Sequence, residues 1–363
     1  MIEPRALDRG THFVQDFKAL ERLLPFKKCL LIYDNSLLKI PSCRSLILKF
    51  SFRYGVQAGE ILKDLRFYPR HLDKIFKILP PFSRNDFSVV ALGGGSVGDF
   101  AGFFASTLHR GVGFIQIPST WLAAIDSSHG GKTALNFRGL KNQIGTFYFP
   151  RKTIIHLDFL PQDSERFLEA AGELLKSAFL AGSSRNKILH LDHLDAFQLW
   201  KGLPLAVSVK MRFVKKDPFE QKGVRVALNL GHTLAHAFER NHGLSHGIAV
   251  LFGLEFALKW SVHRRVLSQR DYVKIANSSF VQSVVAEKQN SRWKNLNLSI
   301  LLKDEAKILS CIQRDKKRSS NLGKVGRTCE IFISKKSYKI LEITDEQFAK
   351  EIQRQRTQNE FLF

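Results

Sequence analysis

Four imidazoles, those of His232, His236, His242 and His246, fall within fifteen positions of one another. His232 and His236 are four apart in the run GHTLAH, so on a helix they share one face. That spacing can ligate zinc, but the glutamate of HExxH is absent, so metalloprotease chemistry is not indicated. Arg225 and Asn229 share the face, His246 lies ten residues beyond His236, and Glu239 is the next acid. A lone histidine is more often structural; four so close together favour a site. Glu173 and Lys176 stand three apart in AAGELLKSA, on an otherwise apolar helical pattern. They make either a simple ion pair, worth a few tenths of a kcal/mol, or a third ligand with a cation beside it. Spacing alone leaves both open.

A second set of residues suits anions. Gly93, Gly94, Gly95, Ser96, Val97, Gly98 and Asp99 follow an apolar run and enter a helical pattern. Glycines there let a pyrophosphate approach backbone N–H groups, and a helix start favours its charge. The pattern is not GxGxxG, so a tight strand-to-helix turn is an equal reading. Downstream, DSSHGGKT (Asp126 to Thr133) lacks Walker spacing but offers the Lys132 ammonium on a glycine turn, with Lys141 and Asn142 nine residues on.

These residues need a frame. Cys29–Tyr33, Ser88–Leu92, Phe114–Ile117 and Thr153–Leu157 read as buried strands that end in turn or polar residues, with helical patterns between them. Such alternation predicts an open α/β sheet, with ligands beyond the carboxyl ends of its strands. After Asp158 the texture becomes helical: Arg166–Ala181, Leu203–Lys216, Val226–Arg240, Gly247–Val262 and Gln269–Lys288. Two short strands, Thr328–Ser334 and Tyr338–Thr344, precede a polar helix at Asp345–Gln355. The expected domains are 1–155 and 156–363.

Composition narrows the class. The chain has 363 residues, enough for two domains, and 44% hydrophobic content, typical of a soluble globular protein. No apolar stretch reaches the length of a membrane span, and the charged start MIEPRALDRG lacks a signal-peptide core. Cys29, Cys43, Cys311 and Cys329 are scattered without a CxxC pair, which suggests a reducing cytoplasm. The net charge of +23 favours anionic partners. It is spread along the chain, locally dense at RDKKR (314–318), and no zinc-finger or RNA-binding signature accompanies it, so no specific nucleic-acid function follows.

The ordered motifs GGGSVGDFAGF, RG, PST, DSSHGGKT, KNQIGTF, ELLK, RVALNLGHTLAHAFE and HGIA, with GEILK upstream, resemble the 3-dehydroquinate synthases, a family of sugar-phosphate cyclases. The resemblance spans roughly residues 30–320. It implies a Rossmann-like NAD-binding α/β domain followed by a mainly α-helical metal-binding domain. It also implies conversion of 3-deoxy-D-arabino-heptulosonate 7-phosphate to 3-dehydroquinate and phosphate on the way to chorismate and the aromatic amino acids. The route would be transient oxidation by NAD, phosphate elimination, re-reduction and aldol closure. Carried onto this chain, it assigns Asp34, Glu60, Lys63, Gly94, Gly95, Ser96, Asp99, Ser119, Thr120, Leu122, Asp126, Ser127, Lys132 and Lys141 to NAD. Glu173, His232 and His246 would hold zinc, with cobalt as a substitute. Lys132, Asn142, Lys176, Lys210, Arg225, Asn229, His236 and Lys316 would handle substrate, and Arg110 would reach phosphate in a neighbouring subunit of a homodimer. The chain departs from the pattern at Gly172, usually Ala, at Pro218 in place of an acid, and in short segments before Glu173 and between His236 and His246. Another sugar-phosphate cyclase or an NAD-dependent polyol dehydrogenase are the alternative enzyme readings, and a basic nucleic-acid-binding protein is the remote one.

Overall fold

The computed structural model describes residues 10–316, 327–358 and 362–363. The chain forms two compact units, one ending at Pro161 and the other running from Gln162 to Phe363. In the first, eight strands follow in order: β1 (Thr11–Val14), β2 (Cys29–Asp34), β3 (Phe52–Val56), β4 (Ser88–Gly93), β5 (Gly113–Pro118), β6 (Lys132–Phe137), β7 (Leu140–Phe147) and β8 (Lys152–His156). Six make one parallel sheet in the order β1-β8-β5-β4-β2-β3. β4 and β5 are buried at every residue, which explains their unbroken apolar runs. Alternate residues divide between the two faces: Leu30, Ile32 and Val89 pack with Phe100 and Phe104, whereas Leu31, Val90 and Ile115 pack with Leu46 and Phe50.

The four strands expected from sequence are present, and the sheet also gains β1 and β3. β3 (FRYGV) carries Arg53 and Gly55 in its middle, which hides it from an apolar-run criterion. β6 and β7 form a separate antiparallel hairpin where the sequence suggested only a Gly-Lys turn. Its tip, Arg138 and Gly139, has φ of 50° and 75°, the paired left-handed conformation of a tight hairpin turn. The chain goes from β2 to β3 on one side and returns to β4 on the other. This reversal opens a crevice at the carboxyl ends of β2 and β4, where Asp34 and Gly93 stand.

The second unit is mainly helical, with a hairpin of β9 (Arg327–Ile333) and β10 (Tyr338–Thr344). Three of its helices differ from the sequence reading. The segment expected to start at Leu203 begins at Ala196, where the Asp195 carboxylate accepts from Gln198 N, and it passes through Pro204. The expected Val226–Arg240 helix is divided by Gly231 at φ 77° into a 3-10 turn, Val224–Asn229, and a helix, His232–His242. The expected Gln269–Lys288 helix breaks at Asn277 and Ser278. Among the described residues, no helix is long and apolar enough to cross a membrane.

The Ser164–Leu180 and His246–His263 helices meet through glycine. A Cβ on Gly172 would sit 2.3 Å from Gly247 O, and one on Gly247 would sit 1.7 Å from Glu169 O. The departure at Gly172 thus has a physical reason in this chain: the two backbones touch there.

Candidate active site

In the first unit the glycine turn lies at the crevice. Gly94 precedes the Gly95–Thr107 helix, and its missing Cβ would be 3.2 Å from Thr120; that of Gly95 would be 3.3 Å from Ser127 Oγ. Ser119 N donates to Gly93 O at 3.0 Å, and Gly59 N donates to Ser96 Oγ at 3.0 Å. The Lys63 ammonium lies 2.5 Å from both Asp99 Oδ2 and Asn142 Oδ1. Burial pushes the Asp99 carboxyl above its usual range, with Lys63 pulling it back. Asn136 donates to Glu60 at 2.7 Å, and Lys141 stands 3.6 Å from the same carboxylate. Burial raises Glu60, but Asn136, Lys63 and Lys141 outweigh it and hold the group below the usual range.

Of the residues expected to meet NAD, Glu60, Lys63, Asp99 and Lys141 are joined in one network through Asn136 and Asn142. The hairpin draws Asn142, expected at substrate, into it. Asp34 accepts from Ser36 N at 3.0 Å and caps the turn after β2. Leu122 and Asp126 lie in and just after the Trp121–Ile125 helix, and Lys132 is exposed at the start of β6. Arg110 sits where three successive residues, His109, Arg110 and Gly111, take φ of 49°, 66° and 111°. Two adjacent non-glycine residues in this region store strain, which proteins concentrate at functional positions.

In the second unit Glu173, His232 and His246 converge. Glu173 Oε1 is 3.4 Å from His232 Nε2 and 3.2 Å from His246 Nε2, and all three ligand atoms lie within 4.8 Å of one another. Each helix places its residue at a defined point: Glu173 beside the Gly172 crossing, His232 at the first position after Gly231, and His246 at the first position before Gly247. His232 Nδ1 donates to Leu230 O at 3.2 Å, and Nε2 is the nitrogen aimed at Glu173. Lys176 lies 2.5 Å from Glu173 Oε2, leaving Oε1 to the imidazoles.

The electrostatics follow. Burial would raise Glu173, yet Lys176, His232 and His246 hold it well below the usual carboxylate range. Burial and Lys176 push His232 down. For His246, burial is overcome by the hydrogen bonds to Glu173 and Glu239, which push it up to about 10. Without a metal, a proton on His246 balances the cluster. The donor set fits a divalent ion in its place. Ligands about 2.0–2.1 Å from a tetrahedral zinc lie roughly 3.3 Å apart, close to the two separations seen. The residues that would hold it are Glu173, His232 and His246.

His236 is close to His232, their ring centroids 5.7 Å apart against 5.2 Å for His232 and His246, but its ring nitrogens do not join the three atoms that converge. The geometry thus favours Glu173 and His246, not the i,i+4 neighbour, as companions of His232. Arg225 is buried, donates to Pro218 O at 3.0 Å and lies 3.8 Å from Glu220. Lys210 is buried on the Ala196–Lys216 helix, and Asn229 is exposed at the end of its turn. The side chain of Lys316 lies outside the described residues, as does part of the RDKKR run. Sequence reasoning missed a role for Asp217, whose carboxylate takes the backbone N–H groups of Gln221, Lys222 and Val224 and so shapes the loop before Arg225.

Comparison with known proteins follows this geometry. The family profile described as 3-dehydroquinate synthase N-terminal matches residues 53–170, and that described as 3-dehydroquinate synthase C-terminal matches 170–318. The 3-dehydroquinate synthase of Francisella tularensis subsp. tularensis (strain WY96-3418) is 34% identical over 288 residues, covering 70% of this chain and 79% of that protein. Among solved structures, 2-deoxy-scyllo-inosose synthase, complexed with carbaglucose-6-phosphate, NAD+ and Co2+, superposes with a TM-score of 0.78 at 22% identity, over 96% of this chain and 98% of its own. A 2-epi-5-epi-valiolone synthase from Streptomyces hygroscopicus, with NAD+ and Zn2+ bound, gives a TM-score of 0.76 at 19% identity, over 95% and 96%. At those identities the two structures establish the fold, and the profiles and the Francisella relative establish the rest: the chain belongs to the 3-dehydroquinate synthase family.

Proposed function

We infer that the chain converts 3-deoxy-D-arabino-heptulosonate 7-phosphate to 3-dehydroquinate and phosphate, with NAD and a divalent metal, zinc by preference, as cofactors. The observation that carries the reading is the convergence of Glu173, His232 and His246 at coordination spacing, in a chain of this family. A metal held there supplies a Lewis acid that orients vicinal hydroxyls and eases ionisation of the one to be oxidised. NAD supplies a transient hydride acceptor that is regenerated in each turnover. Glycine-turn N–H groups at Gly94 and Gly95, with Asp99, Lys63 and Glu60 fixing the neighbouring turn and hairpin, suit a dinucleotide at the carboxyl ends of β2 and β4.

The remaining roles divide by chemistry. Lys132, Lys176, Lys210, Arg225 and Lys316 are cations suited to the carboxylate and phosphate of the substrate; Asn142 and Asn229 suit its hydroxyls. His236, near His232 but outside the three donors, suits a proton carrier. Arg110, held out on a strained turn, fits the phosphate of a neighbouring subunit in a homodimer. A cytoplasmic enzyme accords with four cysteines that form no disulfide. The test is purified protein with the heptulosonate phosphate, NAD and zinc, assayed for phosphate, dehydroquinate and NADH. Stoichiometric phosphate and dehydroquinate without net NADH is the expected result. Net NADH would instead mark a polyol dehydrogenase, and no turnover of this substrate would remove the assignment.

A further inference from the structure

His246 enters the donor cluster through Nε2, and what fixes the direction of that nitrogen lies on the other side of the ring. Its Nδ1 stands 2.8 Å from Glu239 Oε1. Glu239 and His232 share the His232–His242 helix seven residues apart, and so lie two turns apart on one face. Only Gly243, Leu244 and Ser245 separate this helix from the one that His246 opens, and Gly243 at φ 64° turns the chain back. The short connection carries His246 over the last turn of the helix it follows, within reach of Glu239. One helix thus contributes one imidazole directly and aims the other.

We propose that Glu239 is a positioning residue for the metal: it accepts the Nδ1–H of His246, fixes the tautomer whose Nε2 lone pair faces Glu173 and His232, and makes that imidazole a stronger donor. The inference rests on reading the three donors as a metal site. The two imidazoles are supported differently, His232 by the neutral Leu230 carbonyl and His246 by a carboxylate. The carboxylate adds charge as well as direction.

The test measures metal affinity, apart from turnover. Protein stripped by a chelator is titrated with Zn2+ and with Co2+ against a chromogenic chelator, for wild type, Glu239→Ala, Glu239→Gln and His232→Ala. Glu239→Ala should bind 10- to 100-fold more weakly, the usual cost of removing an imidazole's carboxylate support. Glu239→Gln, which keeps an acceptor and loses the charge, should fall between it and wild type. The Co2+ absorption bands of Glu239→Ala at saturation should differ from wild type, a signature that a loss of stability alone would not produce. Affinity of Glu239→Ala within threefold of wild type overturns the proposal, provided His232→Ala has lost stoichiometric binding. Absence of stoichiometric binding in wild type, or its persistence in His232→Ala, overturns the metal site and the proposal together. If the Ala variant fails to fold, Glu239→Gln decides: weaker binding supports the role, and wild-type binding refutes it.

Discussion

Replacing Gly247 by Ala tests whether the helix crossing sets the metal geometry. The new Cβ would start 1.7 Å from Glu169 O, whereas ordinary contact begins near 3.4 Å. The obstructing atom is backbone, so no rotamer change relieves it, and the two helices must part by roughly 1.7 Å or distort. His246 is the residue immediately before Gly247, and Glu173 is four positions beyond Glu169, whose backbone Gly247 meets on the opposing helix. Parting the helices therefore separates His246 Nε2 from Glu173 Oε1, now 3.2 Å apart. A site tolerates about 0.5 Å of misplacement before function suffers, so the shift exceeds that margin about threefold.

Two effects should appear together. Stability should fall by about 1–3 kcal/mol, the usual cost of overpacking, read from urea denaturation of the metal-free protein. Zinc affinity should fall at least tenfold, read by chelator competition on the folded fraction. A Gly247→Ser variant should behave alike, because the obstruction begins at Cβ. If Gly247→Ala were as stable as wild type and bound zinc equally well, the crossing would not control the donor geometry.

Three other substitutions probe separate parts of the chain. His236→Ala should keep one metal per chain by elemental analysis and lose turnover by two orders of magnitude or more, as for a general acid–base group; metal lost with activity would make His236 a ligand. Asp217→Asn should destabilise the protein by about 2–3 kcal/mol at pH 7, because a buried carboxylate accepting three N–H groups is replaced by an amide. Burial raises the Asp217 carboxyl, and those N–H donors outweigh it and depress it, so its contribution is full above the unfolded value of about 3.9 and fades as pH falls through the lower folded value. Urea midpoints of wild type and Asp217→Asn should accordingly converge below pH 4, and a constant gap would refute the assignment. Lys63→Met should strand Asp99 and free Asn142, costing about 1.5–3 kcal/mol; Asp99→Asn in the same chain should restore part of the loss, and strict additivity of the two would show that the pair is not coupled.

The parts of this protein that were legible in its sequence are those whose signal is local. β4 and β5 announce themselves because strands covered on both faces need apolar residues at every position, and the glycine turn after β4 follows because a Cβ on Gly93 would meet Val97 at 2.6 Å and those on Gly94 and Gly95 would crowd Thr120 and Ser127. β1 and β3 were invisible because edge strands are short and tolerate Arg53 and Gly55, their register being set by partners more than a hundred and about twenty residues away in sequence. At the donor cluster, periodicity alone pairs His232 with His236, since i and i+4 share a helical face. What selects His246 is Gly231 and Gly243, which start and stop one helix so that the next begins over it, and Gly172 and Gly247, which bring Glu173 close from a third. Those glycines look like helix defects when each segment is read by itself. Taken together they bring Glu173, His232 and His246, distant in sequence, within 4.8 Å of one another, a convergence that helical spacing by itself does not reveal.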